Sequence, residues 1–239
     1  MNLIVDQGNT ATKLALFDKG GNLHIKKVFA KEEVDLVEKW VKEHADELEA
    51  VLVSSVTNDQ INLPIAKRID LDEKTPIPIQ NGYETPHTLG NDRLANATAI
   101  WKKNPNKNSL AIDIGTCIKY DIVNSKGVYL GGNISPGMNM RYAALQSFTD
   151  QLPLIDAEEF EFGFGVSTKS SIQNGVQHAI FHEINGFIQR YQEQFGELTI
   201  FMTGGDLKYF DKGYKNPIFA HSDLTIFGLN EILKYNVEF

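Results

Sequence analysis

Cysteine is almost missing from this chain of 239 residues: Cys117 stands alone. That excludes an intrachain disulfide and any zinc site built from several cysteines. Also missing is a basic tail or stripe. Lys and Arg number 23 against 31 Asp and Glu, a formal net charge of −8, which argues against non-specific contact with nucleic acid or an anionic bilayer. No apolar run approaches the roughly 18 residues a membrane helix needs, and Met1-Asn2-Leu3-Ile4-Val5-Asp6 reads as a strand with an acidic end rather than a leader. The expectation is a cytoplasmic chain with no membrane or nucleic-acid partner. Low-complexity segments are absent, and neither a Gly-x-x-x-x-Gly-Lys-Ser/Thr loop nor a strand followed by Gly-x-Gly-x-x-Gly occurs. His178 and His182 are four apart, but without the pattern of a zinc protease they read as ordinary helix residues. Any phosphate binder here is of another kind.

What the chain does have is one phrase written twice. Asp6-Gln7-Gly8-Asn9-Thr10-Ala11-Thr12-Lys13 runs toward a turn at Gly20-Gly21, and Asp113-Ile114-Gly115-Thr116-Cys117-Ile118-Lys119 runs toward a turn at Gly127. With one residue of slack at Asn9, Thr10 aligns with Thr116, Lys13 with Lys119 and Gly21 with Gly127. Hydrophobic content of 42% and charged content of 23% suit a compact fold, and the length allows two cores of about 110 residues each. The expectation is an α/β protein of two similar domains, 1–107 and 108–239, with a nucleotide cleft between them.

Periodicity supplies the elements. Residues 2–6, 12–18, 22–29 and 50–56 read as strands and 32–48 as a helix, with Val34, Val37, Val41 and Leu48 near one face. The proline-bearing stretch 68–89 reads as loops and short extended pieces. A helix through Leu94, Ala97 and Trp101 stops before Asn104-Pro105-Asn106, the expected domain boundary. In the second half, strands are expected at 110–113, 118–123, 128–130 and 198–202, and a glycine-rich loop at Gly131–Gly137. Helices should run through Met140, Ala144 and Phe148, over 168–195 with a break near Gly186, and over 223–234.

Chemistry gathers at strand ends. Gly8 lets backbone N–H groups of the turn approach an anion, Thr10 offers a hydroxyl and Lys13 a point charge for a phosphate. Asp6 would repel phosphate, so its use is to hold Mg²⁺ or a water. Asp113 and Thr116 repeat the arrangement, Asp113 for a cation or for alignment of substrate, or for an Asx turn closing its strand. Thr203-Gly204-Gly205-Asp206 would let a nucleoside lie flat on the backbone, or serve as a plain strand-to-helix turn. Gly90-Asn91-Asp92-Arg93 puts an acid beside a guanidinium at a helix start: a base for a hydroxyl next to a clamp for a carboxylate, or a cap beside a surface arginine. Cys117 reads as a packed small residue. Three functions fit these parts: a phosphotransferase, a hydrolase of nucleoside triphosphates or polyphosphate, and a non-catalytic nucleotide sensor or actin-like scaffold. The Asp92-Arg93 pair favours transfer to a small anionic alcohol.

In their order these motifs resemble the type III pantothenate kinases, of the acetate and sugar kinase/Hsp70/actin superfamily, over nearly the whole chain. The resemblance rests on Asp6-Gln7-Gly8-Asn9-Thr10 with Lys13, Gly90-Asn91-Asp92-Arg93, Asp113-Ile114-Gly115-Thr116, Gly132-Asn133-Ile134-Ser135-Pro136-Gly137, Leu152-Pro153, Ser167-Thr168 and Thr203-Gly204-Gly205. It implies duplicated ribonuclease H-like, actin-like ATPase domains and ATP-dependent phosphorylation of pantothenate to 4′-phosphopantothenate, the first step toward coenzyme A. It also implies a homodimer with active sites at the subunit interface. Carried over residue by residue, it makes Asp92 the general base. Arg93, Tyr83 and Thr168 become pantothenate contacts together with Gly90 and Asn91, and Asp6, Gly8, Asn9, Thr10, Lys13, Thr116, Gly204 and Gly205 meet ATP and its Mg²⁺. Asp113 becomes the residue associated with a monovalent cation, K⁺ or NH₄⁺. One departure stands out. Where many relatives have small or hydroxylated residues after the second Asp-x-Gly-Thr, this chain reads Cys117-Ile118-Lys119-Tyr120, and Lys119 either adds a charge at the cation region or points to the opposite face of its strand.

Overall fold

A computed structural model describes residues 1–56, 61–63, 65, 67–158, 163–210 and 213–237. The chain divides into two compact units: Met1–Lys103 joined by the segment from Leu224 onward, and Asn104–Asp223.

In the first unit, β1 (Asn2–Gln7), β2 (Ala11–Phe17), β3 (Leu23–Ala30), β4 (Ala50–Ser55) and β5 (Arg68–Asp70) form a sheet in the order β3-β2-β1-β4-β5. β1, β2 and β3 are antiparallel neighbours, while β4 runs parallel to β1 after α1 (Val34–Glu43) crosses over. The central strands are buried on both faces and therefore read as near-continuous apolar runs. One face packs Leu3, Val5, Leu14 and Leu16 on Val37, Trp40 and Val41 of α1. α1 is shorter than the expected 32–48: it stops at His44, whose Nδ1 lies 2.8 Å from the Trp40 carbonyl, and a 3-10 turn follows at Ala45–Glu47. After the two-residue strand β6 (Gln80–Asn81), α2 (Asn91–Lys103) covers the other face together with α5 (Leu224–Val237).

The second unit repeats the plan. It contains β7 (Ser109–Ile114), β8 (Cys117–Val123), β9 (Val128–Pro136), α3 (Met138–Ser147), α4 (Thr168–Phe195), β10 (Thr199–Thr203) and β11 (Ile218–Ala220). Its own strands run β9-β8-β7-β10-β11, with the first three antiparallel and the last three parallel. Position by position this is the order and sense of the first sheet, so the duplication seen in the Asp-x-Gly phrase extends to whole sheets. Ile172, Val176, Ile180, Ile184 and Ile188 of α4 pack on Leu110, Ile112, Ile118, Tyr120 and Ile122, a stripe at helical spacing.

Three further expectations need revision. The glycine-rich stretch 131–136 is not a loop but the body of β9, paired with β8 through Cys117↔Pro136 to Ile122↔Gly131. Gly132 is required there, since a Cβ at that position would sit 1.5 Å from the Tyr120 carbonyl oxygen, and ladder pairing overrides the poor strand propensity of glycine. α4 runs through Gly186 without a break, because its buried isoleucines offset the roughly 1 kcal/mol that a helical glycine costs. The last helix, which the division at 107/108 left in the second half, clusters with the first unit: Ile226, Leu229, Ile232 and Leu233 bury against Ile4, Phe17, Leu52 and Ala95.

Candidate active site

In the first unit the parallel strands β1 and β4 put Asp6 at a strand's C-terminal end, where α/β sheets hold ligands. Asp6 and Lys13 are direct cross-strand partners, hence on one face of the β1–β2 hairpin. Lys13 Nζ lies 3.9 Å from Asp6 Oδ2, with the lysine about half exposed and the aspartate mostly covered. The turn between them closes through the Gly8 N–H donating to the Ala11 carbonyl at 3.0 Å, and Asn9 and Thr10 stand exposed at its tip. The turn therefore offers a hydroxyl and backbone N–H groups beside a lysine, with a carboxylate one step inside.

The second group in this unit is built on α2. The Gly90 carbonyl accepts from the N–H groups of Arg93 (3.1 Å) and Leu94 (3.2 Å), which starts the helix, and Asn91 Nδ2 donates to the Leu71 carbonyl at 3.2 Å, tying that start to the chain before it. Asp92 lies in the first turn, partly buried, with Oδ1 accepting from the Arg93 N–H at 2.9 Å. Its carboxylate stands where the helix dipole favours the anion. Arg93 is not a surface arginine: only 4% of it is exposed, and its guanidinium carbon lies 5.5 Å from the centre of the Tyr83 ring. The Tyr83 N–H donates to Asn81 Oδ1 at 3.0 Å, which fixes the loop carrying the ring. Tyr83, Asp92 and Arg93 thus form one cluster, an acid beside a guanidinium backed by an aromatic face.

In the second unit Asp113 and Lys119 are cross-strand partners, as Asp6 and Lys13 are in the first. Lys119 Nζ is 2.8 Å from Asp113 Oδ2, and both side chains are largely buried. Lys119 therefore shares the face of Asp113, and the reading that turned it to the opposite face is set aside. Thr203 pairs with Asp113 across β10 and β7, and the turn that follows folds over the same spot. Gly204 has φ +104°, and a Cβ there would meet the Ile114 carbonyl oxygen at 2.2 Å and Asp113 Oδ1 at 2.6 Å, so only glycine fits. The Asp206 N–H donates to the Ile114 carbonyl at 2.9 Å and locks the turn, leaving Gly205 exposed. Burial pushes the Asp206 carboxyl above its usual range. Thr116 is exposed at its own turn, and its carbonyl accepts from the Gly137 N–H at 3.0 Å.

Thr168 is the first residue of α4, on the rim of a groove between α3 and α4 of about 1060 Å³. Ser167 caps the helix, with its Oγ accepting from the Ser170 N–H at 3.2 Å. The groove is largely apolar, lined by Leu145, Phe148, Leu152, Val166 and Ile172 among others, and Phe148, Phe164 and Val166 are each 87% exposed.

Sequence reading missed a clasp behind the strand β9. Glu183 of α4 accepts hydrogen bonds from Tyr120 OH at 2.8 Å, from Ser135 Oγ and from Arg141 Nη2. Burial pulls its carboxyl upward, but the three donors outweigh that and hold it below the usual range. Burial, with the Glu183 charge adding, drives the Tyr120 phenol far above its ordinary value. The signal in the sequence is Ser135 within Gly132–Gly137; its partners lie on other elements, beyond any local spacing.

Among the described residues no group of three or more His, Cys, Asp or Glu is arranged to hold a metal by itself, and no helix is long and apolar enough to cross a membrane. A family model described as type III pantothenate kinase matches residues 2–190. The chain belongs to that family. Curated proteins called type III pantothenate kinase from Phocaeicola vulgatus and Cytophaga hutchinsonii are 41% and 40% identical to it, each alignment covering 99% of this chain and 99% and 100% of the relative. Membership makes the chain an enzyme, a phosphotransferase of coenzyme A biosynthesis. Solved structures extend the likeness of fold. A conserved Baf family protein from Campylobacter jejuni reaches a TM-score of 0.63 at 18% identity, over 99% of this chain and 100% of that one. The activator of 2-hydroxyisocaproyl-CoA dehydratase from Clostridium difficile, solved with ADPNP, reaches 0.56 at 12% over 100% and 97%. The fold is thus the duplicated, actin-like α/β ATPase fold.

Proposed function

We propose that this enzyme transfers the γ-phosphoryl group of ATP to the primary hydroxyl of pantothenate in the cytoplasm, with Asp92 as general base. The observation that carries the assignment is the cluster on the first turn of α2: a partly buried carboxylate beside a buried guanidinium stacked over Tyr83. Asp92 takes the hydroxyl proton as the acceptor oxygen attacks. Arg93 pairs with the pantothenate carboxylate, and Tyr83, Gly90 and Asn91 shape its pocket. A carboxylate is a weak base toward an alcohol, so positioning supplies much of the rate. The β1–β2 turn, through Gly8, Asn9, Thr10 and Lys13, receives the phosphates together with Thr116, and Gly204 and Gly205 receive the nucleoside.

Two ions follow from the family. Mg²⁺ fits Asp6: an acidic side chain sits at a strand's end, and Lys13 stands at 3.9 Å, beyond hydrogen-bonding distance. When bound, Mg²⁺ neutralises charge that develops on the transferring phosphate. A monovalent cation at Asp113 does not fit, because the Lys119 ammonium already occupies hydrogen-bonding distance of that carboxylate, and no step is routed through such a cation.

A second copy of the chain completes the enzyme in this reading. The support is the apolar groove of α3 and α4 with Thr168 on its rim, flanked by the exposed Phe148, Phe164 and Val166; a surface of that kind marks an interaction site. Phe148→Asp should turn a dimer into a monomer in analytical ultracentrifugation.

The deciding experiment is mass detection of 4′-phosphopantothenate formed from pantothenate, ATP and Mg²⁺. Asp92→Asn should lower turnover by about 10²–10⁴-fold while ATP affinity changes little. Turnover near that of the parent would remove Asp92 as the base.

A further inference from the structure

The two hairpins place a lysine opposite an aspartate at the same register, yet only one pair is closed. In the first, 3.9 Å separates the charges and the lysine is 47% exposed. In the second, the separation is 2.8 Å and the side chains are 17% and 12% exposed. That is the distance of a charge-assisted hydrogen bond. The closed pair is walled on a further side by the Gly204 turn, whose backbone would bring even a Cβ to 2.6 Å from Asp113 Oδ1. The ammonium is therefore held against the carboxylate beside the turn assigned above to the nucleoside.

We propose that Lys119 is a tethered cation: its ammonium takes the position on Asp113 that a free K⁺ or NH₄⁺ would occupy, so that phosphoryl transfer by this chain needs no monovalent cation. An ammonium on a four-carbon stem carries the charge of a free ammonium ion, and a cross-strand anchor delivers it without the entropy loss of capturing one from solution. A second monovalent cation at the same oxygen would meet like charge at short range. Lys119 touches neither substrate nor reacting atoms in this account; it is a positioning residue acting through Asp113 and the Gly204 turn.

The inference rests on the kinase reading, and the test separates the two. Initial rates of phosphopantothenate formation are measured with saturating Mg·ATP in K⁺, NH₄⁺, Na⁺ and Tris⁺ at equal ionic strength, and melting temperatures are taken without nucleotide in the same four salts. The parent enzyme should vary by less than about 2-fold in rate, with no specific K⁺ or NH₄⁺ shift in melting temperature. Lys119→Thr should lose at least about 10-fold in Na⁺ and Tris⁺ and recover with K⁺ or NH₄⁺, and those two ions should raise its melting temperature. Lys119→Met, which keeps the stem and drops the charge, should lose rate without recovering, since the stem fills the ion's place. A parent enzyme activated 10-fold or more by K⁺, or a Lys119→Thr variant equally active in all four salts, overturns the proposal. If Lys119→Thr does not fold, the salt series on the parent and Lys119→Met decides. A folded parent with no product in any salt defeats the kinase reading instead, and the ion dependence of the melting temperatures then decides the role of Lys119 by itself.

Discussion

Two hairpins built on the same plan hold their charges in opposite ways. The β1–β2 hairpin of the first unit keeps its aspartate and lysine apart, with the lysine half in solvent and the turn tip exposed. The β7–β8 hairpin closes the matching pair, buries it and folds the Gly204 turn over it. Cross-strand register alone gives both units an Asp–Lys juxtaposition on one face. What separates them is the turn, one residue longer in the first copy, and the neighbours that exclude water. An open pair can exchange its partner for an ion or a phosphate, whereas a closed pair is a fixed charge. On the proposed reading, one arrangement would serve as a binding site in the first unit and as a built-in counterion in the second.

The strongest way to break this comparison is to remove the carboxylate from each copy. Asp6→Asn should lower turnover by about 10²–10³-fold, the scale of losing one preorganised electrostatic contact to a transition state, while leaving the urea unfolding midpoint almost unchanged. Asp113→Asn should lose rate, as Lys119→Met does, and should in addition lose stability. It takes the carboxylate at 2.8 Å away from a mostly buried ammonium, and truncating one partner of a buried pair costs about 3 kcal/mol, read as a lowered urea midpoint. If the two variants exchanged phenotypes, with Asp113→Asn folded and inactive and Asp6→Asn unfolded, the open and closed assignments would be reversed.

A pH series sharpens the same contrast, because the second unit clasps another carboxylate. Glu183 titrates below its ordinary value of 4.5 in the folded chain: burial raises it, and the donors Ser135, Arg141 and Tyr120 more than reverse that. The unfolded chain then binds a proton more readily than the folded one. The stability conferred by the clasp is complete above about pH 4.5 and disappears as pH falls through the folded value. Glu183→Gln should cost about 1–2 kcal/mol at pH 7 and flatten the acid limb of the stability profile in chemical denaturation below about pH 4.5. An unchanged acid limb would show that the clasp does not govern acid unfolding.

How much of this was legible in the chain follows from the range of the forces. The paired Asp-x-Gly phrases, the strands beside them and the long helix over 168–195 are local patterns, and each appears in the structure at its expected place. The lysine opposite each aspartate was present in the alignment of Lys13 with Lys119, but spacing by itself left the face of Lys119 open; register supplied it. Gly131–Pro136 misled because glycine propensity is local, while the ladder with β8 is not. The Glu183 clasp joins residues 42 to 63 positions apart, and the return of α5 to the first unit depends on a face built from Ile4, Phe17, Leu52 and Ala95 on separate elements. Candidate site residues were legible as motifs; which charges are shared and which are held was not.

The smallest expected effect is also the most discriminating. Lys13→Met removes the cation of the open pair and keeps its stem. A pair with one partner about half exposed contributes little, so stability should change by no more than about 0.5 kcal/mol, a shift of a degree or two at most in melting temperature. The KM for ATP should nevertheless rise several-fold if, as proposed, this lysine meets a phosphate rather than holding its own strand. The same substitution at Lys119 predicts the reverse weighting, with a clear loss of stability and a loss of rate that added ATP does not repair. If Lys13→Met lowered the melting temperature as much as Lys119→Met, the two pairs would be equally structural. Longer reach and greater exposure in the first hairpin would then have no functional meaning, and the phosphate role of Lys13 would pass to the backbone N–H groups and Thr10 of the turn.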